Sequence, residues 1–378
     1  MTRPSQITID LDALRANYQL ARRVHGGRAL AVIKANAYGH GALACANALA
    51  QQADGFAVAF LEEARALRDG GVRNPILVLE GVFDDAELEL AAALDLWLVV
   101  HHEEKIAMLA RSRLAPQSLN VWLKIDSGMH RAGFDCAHAE RAYTRLMNTG
   151  KVRSITLMTH FACADAPRSA MTLEQIERFD AATRNLPGDR SLSNSAGLLW
   201  WPKARRDWAR AGLMLYGIPP EGNELPQLQP VMTFESRVFA VRSLQPGEPI
   251  GYGATYVAER PMRVGVVCAG YADGYPQTAP SGTPIAVDGR RTSLVGRVSM
   301  DMLIVDLTGM PDTGIHSKVE LWGRTVRVSE VAAAAGRIPY ELVCAVRRAP
   351  IVYREIASAD SEQEVAPRIA SNQSVCAG

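Results

Sequence analysis

Residues 30–41 read LAVIKANAYGHG and place a lysine directly after a short apolar run. The run Leu30–Ile33 carries no charge and is compatible with a buried β-strand. A cation at the tip of such a strand must reach water or lose its charge to a partner, and Schiff-base formation is one way for an amine to do so. The alternative is an ordinary strand-end lysine with its ammonium in solvent. The small, glycine-rich residues after Lys34 would let a large flat ligand lie close to the backbone.

Further apolar runs follow this one, and stretches with helical spacing such as Leu61–Asp69 and Thr172–Arg184 separate them. An open doubly wound sheet is one alternative, but nucleotide-binding loops would then be expected. Eight strand–helix units in succession fit a (β/α)8 TIM-type barrel better. The predicted strands are Leu30–Lys34, Gly55–Phe60, Pro75–Glu80, Leu94–His101, Leu119–Ile125, Ser154–His160, Ser191–Asn194 and Ala209–Tyr216.

The pattern changes after Pro230, where Val-rich runs are separated by turn residues, which is typical of an all-β segment. The runs are Val231–Leu244, Met262–Ala269, Thr283–Asp288, Leu294–Leu307 and Lys318–Trp322. The predicted fold class is therefore α/β, a (β/α)8 TIM-type barrel followed by a mainly β C-terminal domain. We expect the barrel to span residues 11–227 and the β domain to combine 1–10 with 228–355. Residues 356–378 are polar and without periodicity, which predicts a disordered tail.

Composition and charge exclude several classes of function. Hydrophobic residues make up 48% and charged residues 21% of the chain, as in ordinary globular proteins. A formal net charge of +1 gives no electrostatic reason to expect nucleic acid or an anionic membrane as a partner. The six cysteines are scattered, which argues against a structural zinc site and favours reduced thiols. Without a signal-like start or a long apolar segment, we expect a cytoplasmic protein with no membrane partner and no metal.

Candidate phosphate-binding residues lie near the ends of the last two predicted barrel strands. Barrel enzymes carry their chemistry at the C-terminal ends of strands and often bind phosphate in the loops after strands seven and eight. The Ser195 hydroxyl and the backbone N–H groups around Gly212 could cradle a phosphate there. Taken alone, Asn194-Ser195-Ala196 is also a common turn. Together with Lys34, these segments indicate one functional face.

Short motifs occur in one order along nearly the whole chain. They are 31–41 (AVIKANAYGHG), 122–131 (WLKIDSGMHR), 158–161 (MTHF), 194–195 (NS), 210–217 (RAGLMLYG), 251–256 (GYGATY), 270–274 (GYADG) and 296–301 (GRVSMD). This series resembles the alanine racemases, which use pyridoxal phosphate on a barrel joined to a β domain. The resemblance leaves out only the first few residues and the tail. It implies pyridoxal 5'-phosphate as cofactor, L- and D-alanine as substrates, and a homodimer whose active sites are shared across the interface.

The resemblance also assigns cofactor-binding roles. Lys34 would hold the cofactor covalently, His160 would pack against its ring, and Arg210 would donate to the pyridine nitrogen. An arginine only donates, so the ring stays a weaker electron sink than one paired with a carboxylate, which limits transamination. The residues implied in cofactor binding are Lys34, Tyr38, His160, Asn194, Ser195, Arg210, Gly212, Leu213 and Tyr353.

Racemisation needs one group to remove the α-proton and another to deliver a proton to the opposite face. By resemblance Lys34 serves the face of D-alanine, and Tyr252 from the β domain of the partner subunit serves the face of L-alanine. From the sequence alone Tyr256 is an alternative to Tyr252. The resemblance further implies that Arg131 and the N–H of Met300 bind the substrate carboxylate, Met300 again from the partner.

Supporting roles fall by resemblance to Lys124, Tyr271 and Asp301. Lys124 matches a lysine that is carbamylated in several alanine racemases, and a carbamate would hold the Arg131 guanidinium in place. The alternatives are an unmodified lysine with a bound anion, or a plain strand lysine. Asp301 follows Met300 and would orient the interface.

The resemblance thus implies an alanine racemase with a two-base pyridoxal-phosphate mechanism, supplying D-alanine for peptidoglycan or acting in alanine catabolism. Two rival functions remain. One is a decarboxylase or a broad-specificity racemase on the same scaffold, although such decarboxylases lack the 251–256 and 299–301 motifs in this form. The other is a non-catalytic barrel protein carrying the cofactor, which would lack the β domain.

Overall fold

The computed structural model describes residues 3–220 and 225–355, so the predicted tail 356–378 lies outside the described residues. Strands alternate with helices in the first part of the chain and dominate the second. In chain order the strands are β1 (Gln6–Asp10), β2 (Arg28–Val32), β3 (Gly55–Val58), β4 (Ile76–Val78), β5 (Trp97–Val100), β6 (Leu119–Asp126), β7 (Phe134–Asp135), β8 (Val152–Met158), β9 (Asp189–Ser191), β10 (Trp208–Ala211), β11 (Met232–Leu244), β12 (Pro249–Ile250), β13 (Tyr256–Val257), β14 (Met262–Val267), β15 (Pro284–Val287), β16 (Arg290–Ser293), β17 (Leu303–Asp306), β18 (Lys318–Trp322) and β19 (Ile351–Arg354).

The helices lie mostly between the strands of the first sheet. They are α1 (Leu11–His25), α2 (Lys34–Tyr38), α3 (Ala42–Leu49), α4 (Leu61–Asp69), α5 (Asp85–Ala93), α6 (Glu103–Arg111), α7 (Ala139–Asn148), α8 (Met171–Thr183), α9 (Ser195–Trp200), α10 (Val328–Ala334) and α11 (Pro339–Ala345). Helix α1 shows how the sequence sets such bounds. The Asp10 carboxylate accepts a hydrogen bond from the N–H of Ala13, and Gly26 ends the helix in the left-handed conformation.

Eight parallel strands form a nearly closed barrel, in the spatial order β10-β2-β3-β4-β5-β6-β8-β9. The two end strands meet where the N–H of Arg210 donates to the carbonyl of Ser193 over 2.9 Å. Strands β3, β4 and β10 are buried along their whole length, which explains the continuous apolar sequence of β3 and β4, while β10 carries the buried Arg210. The predicted (β/α)8 barrel is confirmed.

Aromatic rings pack inside the barrel near the N-terminal ends of its strands. Trp97, Trp122 and Trp208 come from three different strands, and their ring centroids lie 5.5 to 6.3 Å apart. Trp97 and Trp208 each begin their strand, so this cluster lies toward the N-terminal ends of the strands. Side chains therefore fill the barrel at the N-terminal ends of its strands. An opening remains at the C-terminal ends, where barrel enzymes place their chemistry.

The second sheet joins the two ends of the chain. Strand β1 pairs antiparallel with β11 and parallel with β19, with Ile7 opposite Phe234 on one side and Ile351 on the other. Ile7, Ile9 and Phe234 are fully buried between these strands. The chain therefore begins in the β domain, makes the barrel, and returns to the β domain at β11. The predicted mainly β C-terminal domain is confirmed.

The expectation of an all-β segment followed by tail was too simple, because α10 and α11 pack there. Pro339 begins α11, where its missing N–H costs nothing, and Leu342 and Val343 are buried.

The continuous strand predicted over Leu294–Leu307 was also wrong. Gly296 takes a φ of 71°, and only Leu303–Asp306 forms a strand. Residues 297–302 connect Gly296 to this strand without being part of it. Their side chains alternate between polar and apolar, as those of a strand often do.

None of the helices in the described residues is long and apolar enough to cross a membrane.

Candidate active site

A cavity of about 370 Å³ opens at the C-terminal ends of the barrel strands. Side chains from several βα loops converge on it, as the barrel topology requires. The predicted site residues that line it are Lys34, Tyr38, Lys124, Arg131, His160, Asn194, Ser195, Arg210, Gly212 and Leu213.

Lys34 begins an unusual turn rather than ending a strand. Strand β2 stops at Val32, and Ala35, Asn36, Ala37 and Tyr38 all have φ values between 52° and 54°. The left-handed conformation costs non-glycine residues roughly 1–2 kcal/mol each, so the surrounding structure must hold it. A run of such residues beside a candidate catalytic lysine indicates strain kept at a functional site.

Tertiary contacts hold this turn in place. The Glu63 carboxylate accepts from the N–H of Ala35 over 2.6 Å, and the Asn36 side-chain oxygen accepts from the N–H of Ala42 over 2.9 Å. The glycines that follow allow a close approach of the β domain. A Cβ at Gly39 would lie 2.2 Å from the Val343 carbonyl oxygen, so only glycine fits there.

The last two barrel loops form a polar end of the cavity. The Ser195 hydroxyl accepts hydrogen bonds from the N–H of Gly212 over 2.9 Å and from the N–H of Met214 over 3.3 Å. A Cβ at Gly212 would lie 2.9 Å from the Tyr38 hydroxyl oxygen, so a glycine keeps this space open. Burial raises the pKa of Tyr38, which keeps its hydroxyl protonated and able to donate. Two hydroxyls and the backbone around Gly212 therefore lie around one small space, which suits a phosphate.

Arg210 is buried in the floor of the cavity and is held by its two terminal nitrogens. Nη1 donates to the carbonyl and hydroxyl oxygens of Ser191 over 2.9 and 2.6 Å. Nη2 donates to the Thr159 carbonyl over 2.7 Å and to His160 Nδ1 over 3.2 Å. Burial lowers the pKa of Arg210 to about 10, so it remains a cation at neutral pH. Nε donates to no described group, which leaves it for a ligand.

His160 is neutral in this setting. Burial and then the positive charge of Arg210 lower its pKa well below the ordinary value, with further contributions from Arg131, Lys124 and Lys34. Because Nδ1 accepts from an arginine, the proton of the neutral ring resides on Nε2. The cavity thus gathers four cations around an uncharged imidazole, and this charge suits a ligand with phosphate and carboxylate groups.

Lys124 and Arg131 line the same cavity and are close enough for their charges to interact. Lys124 lies on β6 and is mostly buried, and burial followed by the charge of Arg131 lowers its pKa to about 8. Glu80 is the carboxylate that lines the same cavity, and its charge opposes that shift. Arg131 forms no hydrogen bond or ion pair with the described residues. Its guanidinium is therefore available to an anionic partner.

The remaining predicted residues do not line this cavity. Tyr252 and Met300 belong to the β domain and are 70% and 54% exposed. The N–H of Tyr271 donates to the Ser299 carbonyl over 3.0 Å, which fixes the turn that carries Met300. Asp301 pairs with Arg348 over 2.8 Å. One chain alone thus brings the cofactor-side residues together but leaves the predicted second base on an outer surface.

Tyr353 does not line the cavity. It belongs to β19, and a Cβ at Gly41 would come within 1.9 Å of its hydroxyl oxygen. The structure therefore places Tyr353 against the turn rather than in the cavity.

Tyr256, the alternative to Tyr252, is half-buried, and its hydroxyl donates to the Met262 sulfur over 3.3 Å. That contact gives Tyr256 a packing role, whereas the Tyr252 hydroxyl is exposed.

Two family models together match most of the chain. The model of the alanine racemase N-terminal domain matches residues 9–220, and that of the alanine racemase C-terminal domain matches residues 231–353. The chain belongs to the alanine racemase family. The family is pyridoxal-phosphate-dependent, and the racemase reaction predicted from the sequence motifs is confirmed at the level of the family.

Curated alanine racemases resemble the chain over almost their whole length. The alanine racemase of Azoarcus sp. (strain BH72) is 60% identical over 352 residues, which cover 93% of this chain and 99% of that protein. A catabolic alanine racemase of Pseudomonas putida is 54% identical over 354 residues, with the same coverage of 93% and 99%.

Solved alanine racemase structures share the fold. The biosynthetic alanine racemase of Pseudomonas aeruginosa has a TM-score of 0.90 at 47% identity and covers 94% of this chain and 100% of its own. The alanine racemase of Bartonella henselae, solved with covalently bound pyridoxal phosphate, has a TM-score of 0.83 at 27% identity and covers 93% and 99%.

The sequence motifs did not point to Glu80, Tyr340 and Cys344, which also line the cavity. Tyr340 and Cys344 lie on α11, and the Tyr340 ring packs 5.6 Å from that of Tyr38. Glu80 ends one of the apolar runs, so a charged residue at a predicted strand end was an available signal. Nothing in the sequence near α11 pointed to the barrel mouth, because the approach is made by tertiary packing alone.

Proposed function

We propose that the barrel-mouth cavity binds pyridoxal phosphate and that L- and D-alanine are interconverted there. The observation that carries this is the buried Arg210, whose Nη groups donate to protein oxygens and His160 while Nε donates to no described group. The direct test is incubation of the holoenzyme with pure L-alanine and detection of D-alanine, with L-serine and L-lysine run beside it. Conversion of alanine well ahead of the other two supports the proposal, and decarboxylation instead of inversion would refute it.

The residues present fit the cofactor. The Tyr38 and Ser195 hydroxyls and the backbone of Gly212 and Leu213 would hold the phosphate, with Asn194 shaping that loop. Arg210 Nε would donate to the ring nitrogen, His160 would pack against the ring, and Lys34 would carry the covalent link. When bound, the cofactor supplies an electrophilic carbon for the amine and a conjugated ring that accepts electron density from the substrate Cα. The phosphate role of Tyr353 stays a prediction, since its hydroxyl approaches Gly41 and Tyr353 does not line the cavity.

The chain's own groups bind and orient the substrate. Arg131 would pair with the alanine carboxylate, and its freedom from other partners supports this. We infer that Lys124 carries a carbamate, because only a neutral amine reacts with carbon dioxide and the pKa of Lys124 is lowered to about 8. A carbamate would replace a buried cation beside Arg131 with an anion and so fix the guanidinium.

Two groups must exchange protons on opposite faces of the Cα. Lys34 Nζ lies at the cavity and would take and return the proton on the D-alanine side. We assign the other side to the Tyr252 hydroxyl of a second copy of the chain, with the Met300 N–H of that copy as a second donor to the carboxylate. In one chain Tyr252 does not line the cavity, so a dimer is needed to complete the site.

Exposed apolar groups support that dimer. Phe60 and Phe83 follow two barrel strands and are 41% and 60% exposed, while the β domain exposes Tyr252, Met300 and Met302. Large exposed apolar groups on two faces favour an interaction between copies. We therefore propose that the β domain, residues 1–10 with 228–355, completes the partner's active site next to the barrel of residues 11–227, with Tyr271 and Asp301 supporting the Met300 turn. Free, scattered cysteines support a cytoplasmic location.

Ser195→Ala tests the phosphate position. We expect cofactor affinity to fall about tenfold, because a charge-assisted hydrogen bond to phosphate is lost. Titration of the apoenzyme with pyridoxal phosphate, followed by absorbance, measures this. The matched control is Ser193→Ala, whose buried hydroxyl donates to the Ala204 carbonyl over 2.8 Å, away from the cavity. Equal losses in the two variants would contradict the assignment.

The carbamate prediction has a defined pH dependence. Below pH 8 the amine of Lys124 is protonated and unreactive, and above it the neutral amine predominates. At a fixed concentration of dissolved ¹³CO2, the carbamate signal in ¹³C NMR should therefore rise through about pH 8 rather than near 10.5. Lys124→Met should remove the signal. Persistence of the signal in that variant, or its absence from the unsubstituted enzyme, would rule the carbamate out.

A further inference from the structure

A second, much smaller cavity lies where the barrel meets the β domain. Its volume is about 20 Å³, and it is lined from the barrel side by His40 and Tyr216 and from the β-domain side by Trp322 and Arg327. A single water needs roughly 10–15 Å³ of such space. The cavity is therefore large enough for one water and too small for a metabolite.

Three buried polar atoms belong to residues around this cavity. His40 Nε2, Trp322 Nε1 and Arg327 Nη1 each lack a hydrogen-bond partner within residues 3–220 and 225–355. An unpaired buried polar group costs about 1–3 kcal/mol, and more when charged. Since the residues that carry all three atoms line one cavity, one bound molecule is the simplest partner for the whole set.

The protonation of His40 fixes what that molecule must offer. His40 Nδ1 lies 3.0 Å from the Ala37 carbonyl oxygen and 2.9 Å from that of Tyr38. Carbonyl oxygens only accept, so Nδ1 carries the proton. Complete burial lowers the pKa of His40 to about 4, which keeps the ring neutral at physiological pH. Nε2 is therefore an acceptor, while Trp322 Nε1–H and Arg327 Nη1–H are donors.

We propose that this cavity is a water-binding site that ties the β domain to the Lys34 turn. A water accepts two hydrogen bonds and donates to a third atom, which matches two donors and one acceptor. A halide would face the lone pair of His40 Nε2, so the neutral imidazole disfavours it.

The site is connected to the barrel mouth through aromatic rings. The His40 ring lies 4.4 Å from that of Tyr216, and Tyr216 lies 4.9 Å from Tyr38, whose hydroxyl lies beside Gly212. His40 also follows the left-handed turn in the sequence. Its Nε2 forms no hydrogen bond with any of the described residues. The water therefore links a β-domain strand end, at Trp322, to the segment that carries Lys34.

A crystal structure of the holoenzyme tests the proposal directly. We expect one peak of density within about 2.7–3.2 Å of all three atoms. Crystals grown in bromide separate the occupants, because a bromide gives an anomalous peak and a water does not. An empty cavity or an anomalous peak there would each overturn the proposal.

Trp322→Phe probes the water from the protein side. It removes the N–H donor and keeps a ring against Phe234. We expect weaker density and an unfolding temperature lower by about 2–4 °C. The control is Tyr275→Phe, since the Tyr275 hydroxyl is likewise buried and unpaired but does not line this cavity. Undiminished density in Trp322→Phe would contradict the proposed hydrogen bonding, and so would an equal loss of density in Tyr275→Phe. If either variant misfolds, the crystal structure of the unsubstituted enzyme decides the question.

Discussion

Lys34→Ala should abolish racemisation and the visible absorbance of the bound cofactor together. Removing the amine eliminates the covalent link and one of the two proton-transfer groups, and a positioned acid–base group alone contributes roughly 10²–10⁴-fold. The fall in kcat/KM should therefore be on the order of 10³-fold or more. Chiral chromatography of alanine after incubation with the reconstituted variant measures the activity, and an absorbance spectrum measures the bound cofactor.

The turn that carries Lys34 should survive this substitution. Its left-handed backbone is held by Glu63 and Asn36 rather than by the lysine side chain. Lys203→Ala is the matched control, because Lys203 is exposed in a short 3-10 turn after α9. It should retain both the spectrum and the activity. Racemisation by Lys34→Ala at a rate near that of the control would exclude Lys34 from the mechanism.

The barrel was predictable from the sequence because parallel strands covered on both faces appear as continuous apolar runs. Helix α4 has the bounds that its apolar spacing predicted, Leu61–Asp69. The cavity residues were predictable for a related reason. A barrel collects the ends of its strands at one face, so Lys34, Ser195 and Arg210 could be assigned to one place without knowing any distance.

Features that depend on tertiary contacts were not predictable. The positive φ values from Ala35 to Tyr38 exist because distant groups such as Glu63 bind the turn, and no local signal marks them. In the same way, Tyr340 reaches the cavity only through the docking of α11. The predicted strand over Leu294–Leu307 failed for the opposite reason. Its local pattern suited a strand, but the chain turns at Gly296 to present Met300.

Tyr252→Phe should make proton exchange one-sided. Lys34 would still remove the α-proton of D-alanine, so D-alanine should exchange that proton in deuterated water. Exchange from L-alanine, and net conversion in both directions, should fall by roughly 10²–10⁴-fold. Proton NMR of each enantiomer measures the exchange. Tyr256→Phe is the matched control, because that hydroxyl contacts the Met262 sulfur instead of solvent. Equal loss of exchange for both enantiomers in Tyr252→Phe would remove Tyr252 from the role of second base.

Mixing the two inactive enzymes decides whether the site is shared between chains. In a mixed dimer of Lys34→Ala and Tyr252→Phe subunits, one site would combine an intact Lys34 with an intact Tyr252 from the partner, and the other would have neither. Random reassociation makes about half of the dimers mixed, so about one quarter of the original activity should return. If Tyr252 served its own chain, every site would lack one base and no activity would return. Recovery on mixing is therefore the result that a site built across two copies requires.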